Sequence, residues 1–311
     1  MPETPTAHIT AHTPLENALT AWEIYLQDQG RSPHTIKAFT ADVRLLGEYH
    51  PPKTPIGNFS AQDINNFLQW MQTERGKPCS PKTLARRITS IKAFFRWLHQ
   101  YAILLIDPAE TVVQRTVHSP LPQVLTPAEQ NTARLAAEWY RSHPENPDLR
   151  HSLLLNLLLA TGIKKGECLA IHPNHIDLEA PTGPILFIRY ASPQHRLKER
   201  KIPLPAAWVE DYKAYRSLYP DPEKIFPWSP RRLEYLLEDI SNRAGIEKHI
   251  SFDMCRWTCA LNDLQSGMET EKIRQKLGIS KIQWREVSLK LRRLNGETIE
   301  DEPAAPDTAT P

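Results

Sequence analysis

Leu153–Leu159 holds six leucines in seven positions, interrupted only by Asn156. A helix built from such a stretch is apolar on every face, and in a chain of this size it belongs inside a large domain. Ala160-Thr161-Gly162 then breaks it, because glycine accepts the sharp turn that other residues resist. A second helix is predicted to open near Lys164. A turn between two buried helices would present Lys164 and Lys165 on a rigid support, as a phosphate-handling site requires.

The rest of the chain is read outward from that point. Its 311 residues suggest two domains. No apolar run reaches membrane-spanning length, and Met-Pro-Glu-Thr-Pro-Thr lacks the pattern of a signal peptide, so a cytoplasmic protein without membrane contact is expected. Cys79, Cys168, Cys255 and Cys259 are scattered, and they read as reduced thiols rather than as disulfides or metal ligands. No metal or cofactor site is indicated. Net charge is +2, but the two ends carry six of the acids, five of them in Glu297–Pro311; residues 14–296 alone carry +8. Residues 1–13 and 296–311 are rich in Pro, Thr and Ala and read as disordered tails, the second of them acidic.

Helical spacing is clear over 14–30 (Leu15, Leu19, Trp22, Leu26) and after Ser32-Pro33 (Ile36, Phe39, Val43, Leu46). Ser60 caps a third helix, with Asp63 at the capping-box position usually held by Glu or Gln. Ser80-Pro81 starts the fourth, 82–99, which carries Lys82, Arg86, Arg87, Lys92 and Arg96 without one acid. A solvated helix face normally mixes Glu with Lys for i,i+4 pairing, so this face suits a polyanion such as the phosphate backbone. Residues 14–114 therefore form a first domain, 115–124 a Pro-rich linker, and 125–295 a second domain opened by the N-cap Thr126. That domain contains helix 147–160, a strand over Pro184–Tyr190, a hairpin loop Ala191–Glu199, and a second strand over Arg200–Leu204. Helices follow over 206–218, 229–244, 253–265, 270–277 and 281–294.

Several of these segments resemble one family. Ala160-Thr161-Gly162-Ile163-Lys164-Lys165-Gly166-Glu167 resembles the Ala-Thr-Gly-Leu-Arg-x-x-Glu box of the tyrosine recombinases, the phage integrases and Xer-type enzymes. The stretch Ser80–Arg87 and Phe94-Phe95-Arg96-Trp97-Leu98 resemble the helical core-binding domain of the same family. The resemblance implies a mainly α fold: an N-terminal SAM-like core-binding domain, then a catalytic-type domain that is helical with a small antiparallel sheet. It implies double-stranded DNA as partner.

The family cuts DNA with a tyrosine hydroxyl and holds the phosphate between fixed cations, chiefly arginines whose planar fork grips two oxygens. Laid onto that pattern, five of six catalytic positions are altered. Lys164 stands in place of the first arginine, His195 in the hairpin in place of the lysine, Asp253 in place of a histidine, Ile279 in place of a second one, and Ser288 in place of the tyrosine. Arg256 is retained, and no tyrosine follows Tyr235. Asp253 reads as an N-cap or as a partner of Arg256. His195 remains open between an acid and a basic loop tip, with Lys198 near enough to take its role. Ser288 has no activating base in view.

The implied function is a DNA-binding protein with a degenerate active site that clamps a duplex as an accessory or regulatory factor in recombination or integration. The contacts expected to carry it are Lys82, Arg86, Arg87, Lys92, Lys164, Arg196, Lys198, Arg200 and Arg256. Two alternatives stay open: an active recombinase with unorthodox residues, and a protein-interaction scaffold on the same fold. In the family the C-terminal segment docks on a neighbouring protomer, so helix 281–294, with Ile282, Val287, Leu289 and Leu291, is the candidate contact to a second copy or to an active recombinase.

Overall fold

Proline at the first helical turn, behind a serine whose hydroxyl accepts a backbone N–H, opens two of the four long helices in the N-terminal part. These helices are α1 (Leu15–Asp28), α2 (Pro33–Tyr49), α3 (Ala61–Thr73) and α4 (Pro81–Gln100). Ser32 accepts from the Thr35 amide at 3.1 Å and Ser80 from the Thr83 amide at 3.2 Å, which satisfies helix-end donors that have no partner inside the helix. Asp63 completes a full capping box on α3, accepting the Ser60 N–H at 2.9 Å. The shorter acid reaches as well as the usual Glu.

The structure, a computed structural model, describes residues 8–51, 53–76, 79–114, 120–220 and 223–298, and divides into the units Met1–Pro120 and Leu121–Pro311. The first unit buries Trp22, Phe67, Phe94, Phe95 and Trp97 between its helices, with Trp22 set edge-on to Phe94 at 5.2 Å. Its beginning corrects one expectation. Residues 8–13 are ordered: the Ala11 and Thr13 carbonyls accept from Gly57 and Ile56, and Ile9 packs on the core. The hydrogen bonds are backbone to backbone, so a Thr/Pro-rich composition concealed them. Of the other parts predicted to be tail and linker, 1–7, 115–119 and 299–311 lie outside the described residues, whereas 120–124 and 296–298 are described and Val124 packs on an apolar cluster of the second unit.

Helix α4 brings a second correction. Arg86 pairs with Asp42 of α2, and Arg87 lies 3.7 Å from the same carboxylate while a second nitrogen of it donates to Met71 and Cys79 sulfurs. Asp42 is 4 % exposed and also accepts from Ser90. The acid that α4 lacks is thus supplied by α2. Lys92 reaches the Glu110 carbonyl at 3.3 Å, whereas Lys82 and Arg96 project without an ion pair among the described residues.

In the second unit the leucine-rich stretch forms α6 (Arg150–Thr161), with all six leucines buried. It starts three residues later than predicted, because the Asp148 carboxylate holds the Arg150 amide at 3.0 Å. Around it lie α5 (Pro127–Arg141), α8 (Ala206–Leu218), α9 (Pro230–Ala244) and α10 (Phe252–Gln265). The helix expected at Lys164 is a single turn, α7 (Lys165–Cys168). Strands β1 (Ile176–Asp177), β2 (Ile185–Ile188) and β3 (Arg200–Pro203) pair antiparallel in that order, with Phe187 opposite Lys201. Leu186, Ile188 and Ile202 face the core. Helices α11 (Thr270–Leu277) and α12 (Lys281–Leu294) close the unit through a smaller apolar cluster of Leu261, Ile273, Leu277 and Leu291. Cys168, Cys255 and Cys259 are buried free thiols. Among the described residues, no helix is long and apolar enough to cross a membrane.

Candidate functional site

Two left-handed glycines set the floor of the site. Gly162 (φ +60°) ends α6 and Gly278 (φ +60°) ends α11, and each leaves helix-terminal carbonyls without intrahelical donors. Arginines fill that need. Arg256, from α10, donates through one nitrogen to the Gly162 carbonyl and through another to the Leu277 carbonyl at 2.5 Å. Arg200, the first residue of β3, donates its Nε–H to the Lys276 carbonyl at 2.6 Å. A side chain at position 278 would collide with this arm, since a Cβ there would lie 2.6 Å from Arg200 Nη1. Glycine is required twice over, for its backbone angle and for the space.

Arg200 also forms a two-pronged pair with Glu167, at 3.0 and 2.9 Å. Both partners are buried, the side chains being 8 % and 2 % exposed. Glu167 further accepts the Lys164 amide at 2.8 Å, so it caps α7, and the Tyr190 hydroxyl donates to it. Burial alone would raise this carboxyl, but the Arg200 guanidinium and the two other donors outweigh that and hold it at about 2. Burial, and then the same bond, pushes the Tyr190 phenol up to about 12.

Lys164 stands over this floor. Partial desolvation of its ammonium, then the like charges of Arg256, Lys198 and Arg200, lower its pKa from the ordinary value; Glu167 opposes them. It makes no ion pair among the described residues. The sequence-predicted cations Lys164, Lys198, Arg200 and Arg256 are thus gathered into one electrostatic group. They are not equivalent. Arg200 is committed to Glu167 and Lys276, which corrects its expected role as a phosphate contact. Arg256 has two donors on carbonyls and the remainder of its fork uncommitted. Lys164 and Lys198 have no ion pair among the described residues, so their ammonium groups are the least committed cations of the four.

The hairpin loop is a 3-10 turn, Pro193–Lys198, with His195 and Arg196 exposed and the His195 ring 5.4 Å from that of Tyr190. Tyr190 was not singled out by sequence, where it reads only as the end of a strand. Asp253 is corrected as well: Ser251 caps α10 by accepting the Met254 amide at 3.2 Å, and Asp253 is exposed in the first turn, without an ion pair among the described residues. Ile279 packs in the cluster around Leu277. Ser288 sits in mid-helix on α12 and donates to the Arg285 carbonyl at 3.0 Å, so no base contacts its hydroxyl among the described residues. Leu291 of the same helix is buried in its own unit, leaving Ile282 and Leu289 outward.

Comparison with known proteins agrees with this arrangement. The phage integrase N-terminal SAM-like domain matches residues 19–101, and the phage integrase family matches residues 128–285. Tyrosine recombinase XerC of Chlamydia pneumoniae is 25% identical over 292 residues, covering 88% of each chain. XerC of Mycobacterium sp. (strain JLS) is 29% identical over 167 residues, 52% of this chain and 55% of that one, so the match spans about half the length of such relatives. Among solved structures, a lambda integrase dimer bound to a COC' core site superposes with TM-score 0.70 at 16% identity, covering 93% of this chain and 80% of that one. XerH recombinase in a post-cleavage complex with palindromic difH gives 0.68 at 17%, over 94% and 91%.

Proposed function

The chain belongs to the phage integrase family, and from that premise we propose that it is a DNA-binding member that no longer cuts DNA and serves recombination as an accessory factor. One observation carries the reading: no tyrosine follows Tyr235, and Ser288, which the resemblance places at the nucleophile position, has its hydroxyl bonded to its own helix with no base contacting it among the described residues. An alcohol without a base is a poor nucleophile. The lost partners compound the defect, since groups that stabilise one transition state act as a unit.

Binding has different requirements. Dispersed positive charge suffices for a phosphate backbone, with affinity that falls steeply as salt rises. Lys164, Arg196 and Lys198 in the second unit meet that need, as do Lys82 and Lys92 in the first, whereas Arg86 is paired with Asp42. Arg87 and Arg200 hold the fold instead. A lambda integrase dimer bound to a COC' core site, a lambda integrase tetramer bound to a Holliday junction and XerH bound to difH substrate share this fold, which supports DNA and self-association as partners.

The competing reading, that this chain itself recombines DNA, draws on the curated relatives named as recombinases. A nicked suicide substrate separates the two. We expect no covalent protein–DNA adduct under conditions where a gel shift is present at low salt and weakened at high salt. An adduct resistant to denaturation rejects the inactive reading, and the absence of any low-salt shift rejects DNA binding.

A further inference from the structure

Leu197 is 100 % exposed, the most exposed large apolar side chain among the described residues. Single exposed leucines are ordinary and need no explanation; the surroundings of this one set it apart. His195 and Arg196 precede it and Lys198 follows it, all in one short 3-10 turn at the end of the β2–β3 hairpin. The same hairpin carries Arg189 and Lys201 against the Phe187 ring, at 5.4 and 5.3 Å from its centroid. The nearby acid, Glu199, is turned to the backbone and accepts the Tyr190 N–H at 3.0 Å. The base of the turn is further pinned by the Glu199 amide on the Arg196 carbonyl at 3.0 Å and by Arg200 on the Lys198 carbonyl at 3.1 Å. A turn pinned at its base therefore holds out one apolar side chain with Arg196 and Lys198 as its neighbours in the chain.

From this geometry we propose that Leu197 is a wedge that enters the minor groove of duplex DNA and opens a base step, while the cations beside it hold the flanking phosphates; this rests on the DNA-binding reading above. A protein pocket that took Leu197 would have to desolvate Arg196 and Lys198 as well, and burying charge without partners is costly. A duplex offers apolar base faces and paired rows of phosphates across a groove only about 6 Å wide. Proteins that bend DNA from that groove insert Leu, Ile, Met or Phe between base pairs, with basic residues alongside.

Permanganate footprinting tests the wedge, because it oxidises thymines that have lost stacking at any position of a long mixed-sequence duplex. The full chain at low salt should create reactive thymines. Leu197→Ala should lower that excess reactivity by about fivefold or more, while its gel-shift affinity changes by less than about threefold, since phosphate contacts dominate affinity. Leu197→Phe should keep the reactivity. The fold does not depend on this side chain, which touches nothing. A Leu197→Ala footprint equal to that of the unaltered chain overturns the proposal, as does a bound duplex without a reactive thymine. If the unaltered chain gives no shift at low salt, the DNA-binding reading fails first and the wedge falls with it.

Discussion

Glu167 and Arg200 form a buried ion pair, and the net worth of such pairs is small even though breaking one is expensive. Replacing Glu167 by Gln strands a buried guanidinium, so unfolding of the second unit should become easier by about 3–5 kcal/mol at neutral pH. The pH dependence follows from a carboxyl held at about 2 in the fold against 4.5 outside it. Such a group stabilises fully above about 4.5, by about 3 kcal/mol, and loses that contribution as pH falls toward 2. Urea denaturation should therefore show the gap between parent and Glu167→Gln shrinking below pH 4.5; a gap of constant size removes the argument. Gly278→Ala should be worse than Gly267→Ala, although both glycines have positive φ, because only at 278 does the new Cβ meet Arg200. Backbone strain is common to both at about 1–3 kcal/mol, so equal losses in thermal melts would show that Arg200 can yield. Residue identities at this site were legible in the sequence, and their partners were not. Glu167 and Arg256 stand in recognisable motifs, but Arg256 binds the carbonyls of Gly162 and Leu277, and a backbone acceptor has no side-chain signature. Asp253 was misread for the related reason that Ser251, two residues earlier, has the better N-cap geometry.

Helices were found at nearly the predicted places because their signals are local: an apolar stripe, a Ser-Pro or capping-box start, a glycine end. What a helix face does depends on its neighbours, and α4 shows the difference. Five bases without an acid look like a free cationic stripe, yet Asp42 of α2 takes two of them across the core of the first unit. Asp42 lies next to Val43 in the apolar stripe of its own helix, and nothing local says that it faces α4. The element thus divides into structural and available charges. Arg87→Ala should destabilise the first unit by about 1–2 kcal/mol, because Asp42 keeps Arg86 and Ser90 as partners. Lys82→Ala and Arg96→Ala should leave stability within about 0.5 kcal/mol. Each of these last two should reduce the slope of log affinity for duplex DNA against log salt by about one. Slopes that fall for Arg87→Ala and not for Lys82→Ala would invert this assignment of α4.

For the molecule as a whole, the balance of charge decides how far the proposed contacts act. The chain carries +2 although residues 14–296 alone carry +8, and residues 299–311 hold Glu300, Asp301, Glu302 and Asp307 without a base. Whatever their conformation, four negative charges tethered to a cationic body lower its potential and oppose the approach of a polyanion. Deleting residues 299–311 raises the net charge from +2 to +6. Affinity for a duplex at low ionic strength should then rise about 2- to 10-fold, chiefly through faster association. Fields between separated exposed charges are screened beyond about 10 Å at 0.1 M salt, so the gain should shrink steadily with added salt. Stopped-flow association and gel shifts over a salt series provide the measurement. A gain that persists unchanged at high salt would mean the segment blocks the DNA site by contact instead of by its field, and a loss of affinity would mean that it contributes to binding.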